Sequence, residues 1–221
     1  MGEAELGRNR IIIRSHIVTY GNAASEEVTR LICEEIQAMW NEPKGSIFFK
    51  DDHYDVVFEI TGETKKEIDQ LEVLQNTDPR NNYFRIEEFI HGNISFVDGV
   101  GCNTGFFLLE NLYKGSTTAA HEYGHTLGLD HPAILDIRGH GVPSIMYPRG
   151  TLVDPQFQYD PTIPAGRQGG TMHPMFRKVK QDDIEDLKLH KLLRYKTKTI
   201  IGGFTNIYHW PHIQFKDGKN A

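Results

Sequence analysis

The chain has 221 residues, of which 38% are hydrophobic and 24% are charged, and this is typical of a globular domain with a sizeable core. Its net charge of −6 lacks the basic footprint that general binding to a nucleic-acid backbone needs, so we expect no nucleic-acid partner. No apolar run approaches the roughly 18 residues that span a bilayer, so we expect no membrane span. The first residues also lack the basic and apolar segments of a signal peptide.

The first half of the chain alternates between strand and helix patterns. Arg10–Tyr20 is rich in β-branched residues and predicts a strand. Ser25–Trp40 predicts an amphipathic helix, because Ser25 can cap its start and apolar residues recur on one face. Further elements follow in this order: strands at Ser46–Phe49 and Tyr54–Ile60, a short helix or a loop at Thr64–Thr77, two strands within Asn82–Val97, and a strand at Gly105–Glu110.

The second half begins with a helix near Ser116 and continues through a loop rich in Gly and Pro, residues 139–170. Gln181–Leu193 predicts a closing helix. This order predicts a mixed α/β (α+β) domain in residues 1–195, in which both later helices pack below a mixed twisted sheet. Residues 196–221 form a C-terminal extension with strand-like pieces at 199–201 and 207–210, whose place in the fold and whose role stay open.

The segment from His121 to His131 carries the chemistry. Residues four apart on a helix lie on one face, so His121 and His125 can direct imidazole nitrogens at one ion. Glu122 lies beside them, where it can contact a water molecule held by the metal. Gly128 allows the chain to turn sharply out of the helix and to deliver His131 as a third ligand. Three protein ligands with an open fourth position are typical of a catalytic zinc, and we expect one such ion.

This segment matches the HExxHxxGxxH signature of the metzincin metalloproteases, and Ser144–Pro148 supplies their methionine turn with Met146. The turn sequence and Gln181–Leu187 resemble most the matrixin branch. The resemblance covers residues 117–193 well and the preceding elements in outline. It implies a metzincin-like zincin domain with an N-terminal part, 1–131, and a C-terminal part, 132–195, around a horizontal substrate cleft.

The resemblance also implies a function, namely a zinc-dependent endopeptidase that hydrolyses a protein or peptide substrate. Glu122 would act as the general base, and Met146 would form a hydrophobic floor under the histidines. An extended substrate would pair with an edge strand near Ile94–Val97. The pocket would include Thr117, Tyr147 and Pro148, and the small Thr117 predicts a bulky apolar residue after the cleaved bond.

Other potential ligands lack the spacing of a metal site. Asn93 follows His91-Gly92, where the matrixin structural-zinc loop has an aspartate, so a second zinc is not expected. A single carboxylate, Asp98, does not predict a calcium cage. We interpret His140 and His173 as surface or packing residues. Cys33 and Cys102 could form one disulfide or could be two free thiols, and the sequence leaves both readings open.

Two other functional classes stay in view. The chain could be a zinc-holding binding module, or a toxin or effector module, that acts mainly through a protein partner. It could also be a metal-dependent hydrolase of another bond. The intact Glu122 favours the peptidase over the binding module. We expect a monomer that is extracellular or delivered outside the producing cell. The missing signal peptide and pro-segment also leave room for an effector or toxin domain delivered as part of a larger protein.

Overall fold

An eight-stranded mixed sheet forms the centre of the structure, a computed structural model that describes residues 1–212. The strands are β1 (Gly2–Leu6), β2 (Arg10–Tyr20), β3 (Ser46–Phe49), β4 (Asp52–Thr64), β5 (Asn81–Glu87), β6 (Phe96–Val97), β7 (Thr104–Leu108) and β8 (Lys198–Ile201). The strand predictions for Arg10–Tyr20 and Ser46–Phe49 are confirmed with the same bounds. The predicted strand at Gly105–Glu110 ends earlier, at Leu108, because a 3₁₀ turn occupies Leu109–Leu112.

Strand β2 is the centre of the sheet. It pairs in parallel with β4 along one side, and on its other side it pairs with β1 through its first half and with β5 through its second half. The order β3-β4-β2-β5-β7-β6 leaves the short β6 as the last strand at one side. Strands β3 and β6 run antiparallel to their neighbours, so the sheet is mixed, as predicted.

Across residues 1–212, five α-helices accompany the sheet: α1 (Glu26–Asn41), α2 (Gln70–Leu74), α3 (Thr118–Thr126), α4 (Gln181–Asp186) and α5 (Leu189–Leu192). The Ser25 hydroxyl accepts from the backbone N–H of Val28, which confirms the predicted cap of α1. Helices α1 and α3 pack against the sheet in one hydrophobic core that contains Trp40, Phe58 and Tyr123. Within the described residues, no helix is both long and apolar enough to cross a membrane.

The prediction of one continuous closing helix at Gln181–Leu193 was wrong. The segment forms two short helices, because Lys188 adopts a left-handed backbone conformation with φ of 53° and ends the first of them. Leu187 and Leu189 are both buried. On one straight helix, residues two apart point about 200° away from each other, so the break allows both leucines to face the core.

The first part of the C-terminal extension packs onto the sheet. Strand β8 pairs antiparallel with β1, and Ile201 is buried in the main core. Farther along, the backbone carbonyl of His209 accepts from Arg85 at 3.0 Å, and the His209 imidazole lies 2.9 Å from Asp98. The strand-like piece 199–201 therefore belongs to the sheet, whereas 207–210 is not part of a strand. Cys33 and Cys102 are both free thiols.

We predict that a chain ending at Tyr195 unfolds at a lower temperature than a chain ending at His212. The shorter chain loses β8 and the buried Ile201. Loss of one buried Ile side chain costs about 2–5 kcal/mol, so we expect Tm to fall by roughly 5–20 °C in a protein of this size. Circular dichroism melting of both chains measures this, and equal Tm values would contradict the structural role of β8.

Candidate metal centre

Helix α3 carries two of the predicted metal ligands, and its start depends on helix α1. Thr117, the residue before α3, has a left-handed backbone with φ of 58°, and its side chain does not cap the helix. The half-buried Glu35 carboxylate of α1 instead accepts from the backbone N–H of Ala120 at 3.3 Å. Burial raises the pKa of Glu35, and its hydrogen bonds to Ala120, Ala119 and Thr117 oppose that shift. An acidic group at a helix N-terminus also interacts favourably with the helix dipole.

The packing of α3 against α1 adds a second support. Trp40 donates from Nε1 to the backbone carbonyl of Ala120 at 3.1 Å, and the Tyr123 hydroxyl is hydrogen-bonded to Ser15 of β2 at 2.8 Å. A helix of nine residues is too short to be stable by itself in water. Tertiary contacts therefore hold α3 in place, and they point one of its faces away from the core toward a pocket.

The turn after α3 is made by Gly128, which has φ of 91°. The backbone N–H of Leu129 bonds to the carbonyl of Gly124 at 3.1 Å, and this arrangement ends the helix with a left-handed glycine, as predicted from the sequence. The turn carries the chain back over the open face of α3. His131 then lies next to the two histidines of the helix.

The three imidazoles converge on one point. The Nε2 atom of His131 lies 3.1 Å from Nε2 of His121 and 3.1 Å from Nε2 of His125. Nδ1 of His121 donates to the carbonyl of Ile145 at 2.7 Å, and Nδ1 of His125 donates to the carbonyl of Leu129 at 2.8 Å. Because a carbonyl only accepts, the proton of each of these rings is on Nδ1, and each Nε2 directs a lone pair at the common point.

This donor set fits a metal ion. Zinc bound tetrahedrally at about 2.0–2.1 Å requires ligand nitrogens about 3.3 Å apart, close to the separations observed here. Burial lowers the pKa of His121 well below its usual value and also lowers the pKa values of His125 and His131. The rings are therefore neutral at neutral pH, which is the form that binds a metal. His121, His125 and His131 could hold a metal ion together.

Glu122 points into the same pocket as the histidines. Its side chain is only 7% exposed, and burial raises its pKa to about 8, while Arg177, Val97 and Arg149 favour the charged carboxylate. A divalent cation at the histidines would also favour the charged form, because opposite charges attract. Glu122 therefore lies in the same pocket as the three histidines, with basic neighbours that favour its charged form.

Residues Ser144–Pro148, the predicted methionine turn, pack against α3 through Met146. Met146 is buried, and a Cβ atom added to Gly124 would lie 2.3 Å from its sulfur atom. Only glycine allows the helix to approach the methionine so closely. Ser144 donates to the carboxylate of Asp183 at 2.6 Å, and the same carboxylate accepts from the backbone of Lys180 at 2.7 Å. The turn is thus tied both to α3 and to the first residues of α4.

The metal pocket is a cavity of about 430 Å³. Besides the histidines and Glu122, its walls include residues of the edge strand β6, Pro148, Arg149 and Arg177. The two arginines were not predicted as site residues. Arg149 directly follows Pro148 in the methionine turn, which was a usable signal, whereas Arg177 reaches the pocket only because a long loop folds back against Thr117.

The predicted pocket residues lie around this cavity in different roles. Pro148 lines it. The carbonyl of Tyr147 accepts from Arg177 at 3.2 Å, and the Tyr147 side chain packs in a separate small cluster with Ile137. Thr117 is buried and lines a neighbouring cavity of about 350 Å³. Its hydroxyl donates to the carbonyl of Pro174 at 2.8 Å and accepts from Arg177 at 2.9 Å.

The other histidines are placed away from the three ligands. His173 accepts from the backbone N–H of Met175 at 3.2 Å and so caps a 3₁₀ turn, and His140 lies in an exposed loop. His91 stacks on His212 with ring centroids 4.9 Å apart. Asp98 accepts a hydrogen bond from Thr104 and contacts His209.

Comparison with known proteins finds distant likeness among solved structures. No family model matches the chain, and a search of curated proteins finds no match. Among solved structures, the chain is similar to the crystal structure of archaemetzincin from Methanopyrus kandleri. The identity is 9%, the alignment covers 80% of this chain and 96% of that chain, and the TM-score is 0.42. Because this likeness is so low, any function must be argued from the geometry of the site itself.

We predict that the protein binds one zinc ion through the three histidines. Replacement of His125 or His131 by alanine should lower zinc affinity at least about 100-fold, because a ligand bond is lost, whereas removal of a supporting group costs about 10–100-fold. Competition with a chromophoric chelator measures the affinity. His140→Ala is the matched control, and an equal loss in the control and in the ligand variants would contradict the assignment.

A second prediction concerns the contact between Gly124 and Met146. Helix propensity alone predicts that Gly124→Ala stabilises α3 by about 1 kcal/mol. The added Cβ atom would overlap the methionine sulfur, so we expect instead a loss of about 1–3 kcal/mol. Chemical denaturation of both proteins measures the change in the free energy of unfolding and shows whether the substitution stabilises or destabilises the fold. Gly150→Ala is the control, since nothing lies within 4 Å of its added Cβ.

Proposed function

We propose that this chain is a zinc-dependent endopeptidase of the metzincin type. The observation that carries the proposal is the convergence of three neutral imidazoles in one pocket with the buried carboxylate of Glu122. Three protein ligands leave a coordination position for a reactant, as catalytic zinc sites do. The matrixin-like sequence of the methionine turn supports the same class of chemistry.

The proposed domain organisation follows from the position of the site. Residues 1–131 would form the upper part with the sheet, α1 and α3, and residues 132–195 would form the lower part with the methionine turn. The pocket has walls from both parts, namely β6 and α3 on one side and Pro148, Arg149 and Arg177 on the other. Zinc bound there supplies a Lewis acid that polarises a peptide carbonyl and makes water more acidic.

Residues of the chain itself transfer the proton, favour the charged form of the base and orient the histidines. Glu122 takes a proton from the attacking water molecule and returns it to the nitrogen of the leaving amine, while the water oxygen adds to the carbonyl carbon and the C–N bond breaks. The nearby guanidinium of Arg177 favours the charged carboxylate before the first transfer. The carbonyls of Ile145 and Leu129 keep two imidazoles in the orientation that binding needs.

An extended peptide would enter along the edge of the sheet. Within the described part of the chain, β6 is the last strand on its side, and both of its residues line the pocket. Its neighbour Ile94 is 66% exposed and also lines the pocket. A peptide strand added to β6 would receive main-chain hydrogen bonds beside the histidines.

The test is cleavage of a mixed peptide library by the zinc-loaded protein. We predict that Glu122→Gln, which has nearly the same shape, keeps zinc and loses at least about 100-fold in kcat, since this is the usual scale of general-base catalysis. Glu110→Gln, at an exposed acidic residue outside the pocket, is the control.

Zinc-dependent cleavage that survives in Glu122→Gln would refute the role of this carboxylate. A folded, zinc-bound wild-type protein that cuts no peptide would instead favour a binding or effector module that acts through a protein partner.

A further inference from the structure

The metal pocket contains a buried cation that no carboxylate in residues 1–212 neutralises by direct contact. Arg177 is only 3% exposed. Its Nε donates to Thr117 at 2.9 Å and its Nη1 donates to the carbonyl of Tyr147 at 3.2 Å, and both acceptors are uncharged. No described acidic residue lies at ion-pair distance from it. A buried charge without an ionic partner is costly, so an anion that pairs with Arg177 would be bound favourably.

A second arginine lies on the same wall. Arg149 lines the metal pocket, and its guanidinium donates to the amide oxygen of Asn111 at 3.1 Å, which again is an uncharged acceptor. The two guanidiniums repel each other, and this interaction adds to the effect of burial in lowering the pKa of Arg177 to about 10. A bound anion between or beside them would relieve that repulsion.

The net charge of the pocket region favours the binding of an anion. Arg177 interacts at longer range with the carboxylates of Glu122 and Glu35. The two guanidiniums and the two carboxylates balance, so a divalent cation at the histidines leaves the region positive. Arginine is suited to this role, because its planar fork can bind both oxygens of a carboxylate.

The position of the arginines relative to Glu122 selects the side of the substrate. Glu122 is proposed to return its proton to the leaving amine, so the residue that carries this amine lies next to Glu122. Arg177 and Arg149 line the same pocket as Glu122. The arginine wall therefore faces the part of the substrate that follows the cleaved bond.

We propose that Arg177 and Arg149 form an anion-binding subsite for a peptide carboxylate on the leaving-group side of the cleaved bond, an inference that rests on the proposed function. The carboxylate belongs either to an Asp or Glu side chain or to the C-terminus of the peptide. This proposal differs from the bulky apolar preference that was predicted from Thr117, whose hydroxyl accepts from Arg177.

The experiment measures binding and cleavage separately. Zinc-loaded Glu122→Gln protein is titrated by calorimetry with two peptide pairs, and this reading needs no turnover. One pair is amidated at the C-terminus and differs only by Asp or Asn after the expected cleavage site. The other lacks acidic side chains and differs only by a free or an amidated C-terminus. We expect at least about tenfold tighter binding of the carboxylate member in one pair, the scale of a charge-assisted hydrogen bond.

Variants of the two arginines test whether these residues cause the preference for the carboxylate peptide. Added to the Glu122→Gln background, Arg149→Gln should reduce it to less than about threefold without unfolding the protein, since Arg149 is exposed. Arg177→Lys keeps the charge, loses the planar fork and should give an intermediate preference. Arg194→Gln removes an exposed arginine outside the pocket and should keep the full preference.

Equal binding within both pairs would overturn the subsite, as would a preference that persists in both arginine variants. Cleavage by the wild-type protein without a carboxylate preference would refute the subsite and leave the peptidase intact. A carboxylate preference without Glu122-dependent cleavage would refute the peptidase and leave the subsite intact.

Discussion

The geometry of the site depends on how the protons of two imidazoles are held. His121 and His125 both direct Nε2 at the metal position because backbone carbonyls fix their Nδ1 protons. One of these carbonyls belongs to Ile145 in the methionine turn, and the other to Leu129 in the glycine turn. The two turns therefore orient the ligands of α3, and a change in either turn would rotate an imidazole away from the metal position.

Contacts from distant parts of the chain hold these turns. Glu35 caps α3 from α1, Asp183 ties Ser144 to α4, and Gly124 allows Met146 to lie against the helix. Each contact joins residues that are far apart in the sequence. The short helix α3 and the loops below it thus obtain their order from packing and hydrogen bonds rather than from local propensity. The same loops bring Arg177 beneath Thr117 and into the pocket wall.

The sequence predicted those helices and strands in which a pattern of residue types repeats along the element. The β-branched run of β2 and the amphipathic face of α1 were readable because each pattern repeats along one element. Strand β1 was not predicted, since its five residues include no β-branched or aromatic side chain and it pairs with the distant β8 as well as with β2. The break at Lys188 was missed, because the need to bury both Leu187 and Leu189 is a tertiary constraint.

The convergence of His121, His125 and His131 was predictable because a motif of fixed spacing encodes these residues on one helix and one turn. Arg177 belongs to no motif of fixed spacing, and its position depends on a loop of irregular structure.

The central claim, that three Nε2 atoms form one zinc site, is tested most directly by a crystal structure of the zinc-loaded protein with anomalous data at the zinc edge. The account predicts one strong peak bound by Nε2 of His121, His125 and His131 at about 2.0–2.1 Å, with a fourth position that no protein atom occupies. A peak bound by fewer than three of these histidines, or located at other residues, would contradict it.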